Sequence, residues 1–308
     1  MSLLTRWLES LAESVEISER CLRQMSPFST CEKCIEVCQE EALKITNGKV
    51  EITEEHCTSC GKCMTVCPVH AIEGSVPRRD VIEDTMIQNA EVVPPSVGEW
   101  LYYASKGIKK LAVLHVGLHS RSWPESLHEP NRILSKMGEP EIALTDTVPV
   151  PEEKEMSRRD LFRFVGKESK VLAMSSLTPA KWRYNHQSFS INRAFPEWMF
   201  YRVELDRAAC TLCEVCFKLC PNQVFTVDRE RGELRISPGS CNGCELCVDA
   251  CRENAAAVTE HIAPREEGIA SIIEKTCMSC GQPFLDWDEA GDSCHICLKK
   301  AENKSSFF

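Results

Sequence analysis

At 308 residues the chain is long enough for two or three domains with cores of their own. A formal net charge of −10 argues against nucleic acid as a partner, since that ligand selects a basic surface, and suits docking on basic faces of other proteins. Twenty cysteines confine the chain to two classes, a secreted disulfide scaffold or a metal protein.

The first segment, residues 1–18, decides between them. It has no apolar core and no small-residue cleavage site, so it is not read as a signal peptide. Leu4, Trp7, Leu8, Leu11 and Val15 fall on one side of an amphipathic helix. No apolar run approaches the length that spans a bilayer, so direct membrane insertion is not expected. The expectation is a cytoplasmic protein whose thiolates hold metal in a reducing compartment.

Next comes an internal duplication, residues 19–75 and 199–263. Cys31, Cys34 and Cys38 recur as Cys213, Cys216 and Cys220, while Cys57, Cys60, Cys63 and Cys67 recur as Cys241, Cys244, Cys247 and Cys251. The connectors ITNGKVEI and VDRERGELRI each read as strand, glycine-containing turn and strand, a β-hairpin. Each copy therefore predicts a cysteine loop, helix, hairpin, cysteine loop and helix.

Between the copies, residues 76–198 contain no cysteine. A helix is predicted over Ser96–Ser105 with Gly107 as its stop, then the strand LAVLHV, a helix from Pro124 to Gly138, and the strand EIALT. This alternation predicts a small α/β insert, and no glycine-rich phosphate loop accompanies it. Ser157–Phe162 looks like a twin-arginine export signal, but it is internal and lacks a following apolar run. The reading favoured is a helix start capped by Ser157, with a docking element as the alternative. His56 and His70 flank one cysteine motif, whereas His115, His119 and His128 match no metal or nucleophile pattern.

The cysteine spacings carry the chemistry. Cys57-x2-Cys60-x2-Cys63-x3-Cys67-Pro68 and Cys210-x2-Cys213-x2-Cys216-x3-Cys220-Pro221 match C-x2-C-x2-C-x3-C-P, and Cys241, Cys244, Cys247 and Cys251 keep the spacing with Arg252 in place of proline. Three cysteines on a tight loop wrap three corners of a cubane, and the fourth lies on the helix that follows. Both copies resemble the bacterial-type two-cluster ferredoxins, over somewhat under half of the chain. The resemblance implies that the fourth cysteine of each motif completes the other motif's cluster. Cys57, Cys60 and Cys63 then join Cys38; Cys210, Cys213 and Cys216 join Cys251; and Cys241, Cys244 and Cys247 join Cys220. In the remaining motif Phe28 stands where a cysteine is expected and Gln39 replaces the proline. A longer loop from Cys21 supplies the missing thiol, giving Cys21, Cys31, Cys34 and Cys67. A three-iron cluster or an exchangeable non-cysteine ligand is the alternative there.

The last segment, residues 264–308, pairs Cys277-x2-Cys280 with Cys294-x2-Cys297 across thirteen residues. Two such knuckles close a tetrahedral site that zinc favours, and the segment resembles a small zinc ribbon; rubredoxin-type iron is the alternative. His295 lies inside the second knuckle as a competing donor.

The fold class expected is α+β: two ferredoxin-like modules, a central α/β insert and a C-terminal ribbon. The function expected is electron transfer through four [4Fe–4S] clusters, with one zinc, to or from a redox partner or larger oxidoreductase complex. With every iron fully ligated, no active site of its own is expected. The alternative is an accessory or maturation factor that binds a metalloenzyme.

Overall fold

A computed structural model describes residues 15–73, 79–89, 93–113, 122–149, 190–288 and 290–305. The N-terminal helix before Val15, the end of the strand LAVLHV, His115, His119 and Ser157–Phe162 lie outside the described residues. The chain divides into two units, Met1–Gln24 with Glu32–Phe195, and Met25–Cys31 with Pro196–Phe308.

In the first unit, strand β1 (Glu16–Ile17) leads through a turn at Cys21 into helix α1 (Leu22–Met25), and helix α2 (Lys33–Glu36) follows. Strands β2 (Leu43–Thr46) and β3 (Lys49–Ile52) form the predicted hairpin, with Leu43 opposite Ile52 and Thr46 opposite Lys49. Its two-residue turn, Asn47-Gly48, has φ of 53° and 77°, the left-handed pair that matches strand twist. Helix α3 (Lys62–Val66) and strand β4 (Ile72–Glu73) complete this part, with β4 antiparallel to β1. Met64 and Ile72 are buried at its centre, and Val15, Ile17, Cys34 and Cys63 pack on them.

The insert is a four-stranded sheet in the order β5-β6-β7-β8. Strand β5 (Asp80–Ile82) is antiparallel to β6 (Thr85–Ile87). Helix α4 (Val97–Ser105) returns the chain to β7 (Lys110–Ala112), parallel to β6. Helices α5 (Ser122–Glu125) and α6 (His128–Met137) return it to β8 (Ala143–Thr145), parallel again. The Ser96 side chain caps α4 by accepting from the Glu99 N–H at 3.3 Å, and Gly138 ends α6 at φ 72°.

One helix was expected from Pro124 to Gly138, but the chain breaks at Ser126–Leu127. There the Ser126 hydroxyl donates to the Trp123 carbonyl at 2.6 Å and accepts from the Trp100 indole at 2.9 Å, a side-chain bond that competes with helix continuation. Trp100 and Trp123 meet edge to face at 6.4 Å in the insert's core. Helix α7 (Ile191–Ala194) ends the described part of this unit.

In the second unit, strand β9 (Trp198–Leu205) precedes the cysteine loop at Cys210 and helix α8 (Val215–Leu219). Strands β10 (Phe225–Asp228) and β11 (Glu233–Ile236) form the second hairpin. Helix α9 (Leu246–Asp249) follows the next cysteine loop, and β12 (Ala256–Pro264) returns antiparallel to β9. Strand β13 (Gly268–Ser271) adds to β11, making a three-stranded sheet in the order β10-β11-β13. Strands β14 (Ile273–Thr276) and β15 (Pro283–Asp286) flank the turn with Cys277 and Cys280, and Cys294 precedes helix α10 (His295–Ser305), which holds Cys297.

A buried core lies in this unit. Val203, Leu212, Val224, Phe225, Leu234 and Cys241 are buried together with Ile272 and Leu285. The segment Met25–Cys31 lies in the same unit, where the Thr30 N–H and hydroxyl donate to the Asp249 carboxylate at 2.7 and 2.9 Å. The Arg252 guanidinium sits 5.7 Å from the Phe28 ring centre.

Candidate functional site

The cysteine loops share a backbone signature. In three of them the residues before and after the second cysteine are left-handed: Ser59 and Gly61, Leu212 and Glu214, Gly243 and Glu245, with φ between 49° and 75°. Alternation of right- and left-handed residues curls a loop so that backbone N–H groups line a concavity that accepts anions, as at many iron–sulfur sites. Gly243 has a second reason to be glycine, because a Cβ there would lie 2.3 Å from the Tyr201 ring. The loop around Cys31 lacks this signature, since Glu32 is at φ −131°. The sequence motif is incomplete at that same loop.

A second signature follows each fourth cysteine. Glu41, His70, Gln223 and Asn254, three residues after Cys38, Cys67, Cys220 and Cys251, have φ of 49° to 52°. Each donates its N–H to the carbonyl of its cysteine, at 3.1 to 3.3 Å. At three of the four turns the next residue reaches sulfur: the Ala71, Val224 and Ala255 N–H groups donate to Sγ of Cys67, Cys220 and Cys251 at 3.2, 3.4 and 3.2 Å. Such bonds favour the thiolate form that binds iron.

The arrangement in space crosses between motifs. One cavity is lined by Cys57, Cys60 and Cys63 together with Cys38, and is walled in part by Val93 of the insert. Another is lined by Cys241, Cys244 and Cys247 together with Cys220. For a third set, burial raises the Cys216 thiol above its usual range, and Cys247, Cys213, Cys210 and Cys251 add to it by their charge. Cys210 is raised by burial as well, offset in part by the Leu212 N–H. Burial with Cys60, Cys34, Cys57 and Cys38 nearby pushes Cys63 up to about 12, and burial with Cys244, Cys241 and Cys220 does the same to Cys247. Thiols so crowded and so dry keep their protons unless a cation takes up the charge, which iron does.

The remaining candidates are placed differently. Cys21 sits on a turn laced to the Cys67 turn, because the Ser18 N–H and hydroxyl donate to the Ala71 carbonyl at 2.8 and 2.9 Å and Arg20 donates to the His70 carbonyl at 2.9 Å. Cys21, Cys34 and Cys67 belong to the first unit, and Cys31 falls within the second.

These residues fit a cubane. Beyond the two thiol-lined cavities, the Thr211 hydroxyl, between Cys210 and Cys213, is buried with no hydrogen-bond partner. A buried hydroxyl without an acceptor is costly, and a sulfur-rich anion beside it supplies one. Sequence reasoning missed Thr211 because threonine in a loop carries no signal of its own.

At the C-terminal end, the four sulfurs of Cys277, Cys280, Cys294 and Cys297 lie within 4.8 Å of one another. A tetrahedron with metal–sulfur bonds of about 2.3 Å has edges of about 3.8 Å. Cys280 and Cys294 sulfurs are already 3.9 Å apart. The Cys294 N–H donates to Cys277 Sγ at 3.2 Å and draws that thiol below its usual range. Cys297 is pushed up by its hydrogen bond with Cys280. His295 is outside this group of four sulfurs, and burial lowers its pKa.

Residues 50–73 match the 4Fe-4S binding domain family and residues 202–252 match the 4Fe-4S dicluster domain family. The chain belongs to the 4Fe–4S ferredoxin superfamily. Among relatives, it is 35% identical over 66 residues to the PorD subunit of pyruvate synthase from Methanocaldococcus jannaschii, covering 21% of this chain and 76% of that protein. It is 44% identical over 43 residues to a component of the ion-translocating oxidoreductase complex of Methanosarcina acetivorans, covering 14% of this chain and 16% of that protein. Among the described residues, no helix is long and apolar enough to cross a membrane.

Proposed function

We propose that the protein is a cytoplasmic electron carrier or electron-transfer subunit that relays single electrons through four [4Fe–4S] clusters. The sets are Cys38 with Cys57, Cys60 and Cys63; Cys251 with Cys210, Cys213 and Cys216; Cys220 with Cys241, Cys244 and Cys247; and Cys21 with Cys31, Cys34 and Cys67. The observation that carries the reading is the crossed lining of the two cavities, where three cysteines of one motif face the fourth of its neighbour. A cubane with four thiolates leaves no iron open to substrate, so the role is carriage of charge and the partner performs the chemistry. The partner proposed is a larger oxidoreductase complex, as both relatives are named as parts of multi-subunit enzymes. One zinc at Cys277, Cys280, Cys294 and Cys297 orders a segment too small to hold a core by itself.

Anaerobic metal and sulfide analysis paired with electron paramagnetic resonance tests this. About sixteen irons, sixteen sulfides and one zinc per chain are expected. A colourless protein with zinc alone overturns the electron-transfer reading.

A further inference from the structure

The C-terminal metal segment meets a cysteine loop of the second module at Trp287, which follows β15 and lies in the thirteen-residue loop between the two knuckles. Its indole N–H donates to the carbonyl of Cys210 at 2.7 Å. The ring packs on the core that holds Leu212 and Leu234, and the Arg207 guanidinium covers it at 4.8 Å from the ring centre. An indole N–H in such surroundings takes any acceptor within reach. Here the acceptor is the backbone of the first cysteine in a cluster-binding loop, whose next residue, Thr211, has the unpartnered hydroxyl.

The loop that presents Trp287 is fixed at three further points. Lys275 Nζ donates to the Asp286 carboxylate at 2.9 Å and to the Gly291 carbonyl at 2.8 Å, and Leu285 is buried in the shared core. The knuckles close the same loop from its two ends, since Cys280 and Cys294 bracket it. A metal bound there removes the freedom of the loop's ends and so favours the one geometry in which the indole meets Cys210.

We infer that the C-terminal tetrathiolate metal acts on the cluster of Cys210, Cys213, Cys216 and Cys251 through Trp287, a positioning residue that fixes the Cys210 loop and shields it from water and oxygen. This rests on the four-cluster reading. The second module is then a linked pair of metal centres: occupancy of the redox-inert one sets how well the redox-active one is held.

The test uses the intact anaerobic protein and a Trp287→Phe variant, with iron and zinc counted on every sample. Trp287→Phe keeps an aromatic ring and removes the donor. In that variant iron and zinc counts stay full, one of the four cluster signals shifts in midpoint potential, and that cluster bleaches in air between about two- and tenfold faster, the kinetic equivalent of one hydrogen bond. Stripping zinc from the wild-type protein with a chelator affects that same cluster, whereas stripping the variant adds little, because both act through one contact. Unchanged potential and bleaching in Trp287→Phe at full iron overturn the inference alone. Zinc removal that affects all four clusters equally, or none, overturns it too. A wild-type chain without the signal of the Cys210 cluster overturns the cluster reading of the second module, and the inference with it.

Discussion

Thr211 shows how much a single hydroxyl is asked to do in a loop of three cysteines. It is buried and lacks any protein acceptor, while its neighbours Leu212 and Cys210 are tied by an N–H to sulfur and by the indole to the carbonyl. In the proposed cluster environment its natural acceptor is sulfur. Hydrogen bonds to sulfur stabilise the more negative, reduced state of a cluster and raise its potential. Thr211→Val, equal in shape and without the donor, lowers the potential of one cluster by roughly 20–60 mV. Protein-film voltammetry on the holoprotein checks this, and a shift to higher potential would reverse the assignment. The corresponding Thr58 is exposed, where water serves as its acceptor, so the same substitution there should move the potential less.

At the scale of elements, a buried ion pair inside the insert holds the segment that reaches the first module's thiol-lined cavity. Arg79 and Glu99 are each 1% exposed and pair through both carboxylate oxygens, at 2.7 and 2.9 Å. Arg79 also donates to the Val93 carbonyl at 2.5 Å, and Val93 walls the cavity of Cys38, Cys57, Cys60 and Cys63. Glu99→Gln leaves Arg79 buried without its counter-charge and costs about 3–5 kcal/mol. Chemical denaturation followed by tryptophan fluorescence measures that loss, since Trp100 and Trp123 lie in the insert's core and Arg79 sits 5.5 Å from the Trp123 ring centre. An unchanged midpoint would mean that the pair contributes nothing to stability.

These elements also show what could be read in advance. The hairpin at Asn47-Gly48 was legible because that dipeptide takes left-handed backbone at low cost, and the helix at Ser96 because its cap is local. Cysteine spacing located the loops for the same reason: three ligands on one short loop must be close in sequence. The left-handed residues Leu212, Glu214 and Glu245 were not legible, since nothing in those side chains favours that backbone; the loop imposes it. Equally hidden were the addition of β13 to β11 and the bond of Thr30 to Asp249, both set by tertiary pairing between distant stretches.

For the whole molecule the number of irons turns on the loop at Cys31. The loop at Cys31 lacks both the first cysteine of the motif and the left-handed corners of the other three loops, and Cys21 sits on a turn bound to the Cys67 turn. Cys21→Ser is expected to lower iron by about four per chain, or by about one where the cluster survives with three irons. Iron analysis with low-temperature spin quantitation separates those two results, and full iron with unaltered spectra would remove Cys21 from the ligand set. The other three signals should stay as they are.

Ile272 and Leu285 sit in the same apolar floor as Leu212, Val224 and Leu234, although they follow every cysteine of the second module in the chain. During synthesis, therefore, all of that module's thiols leave the ribosome before the side chains that seal them in. Loading of iron in this half must either wait for the last strands or proceed on an unfinished, water-exposed nest. A nascent chain halted before Leu285 would be the form most easily lost to oxygen.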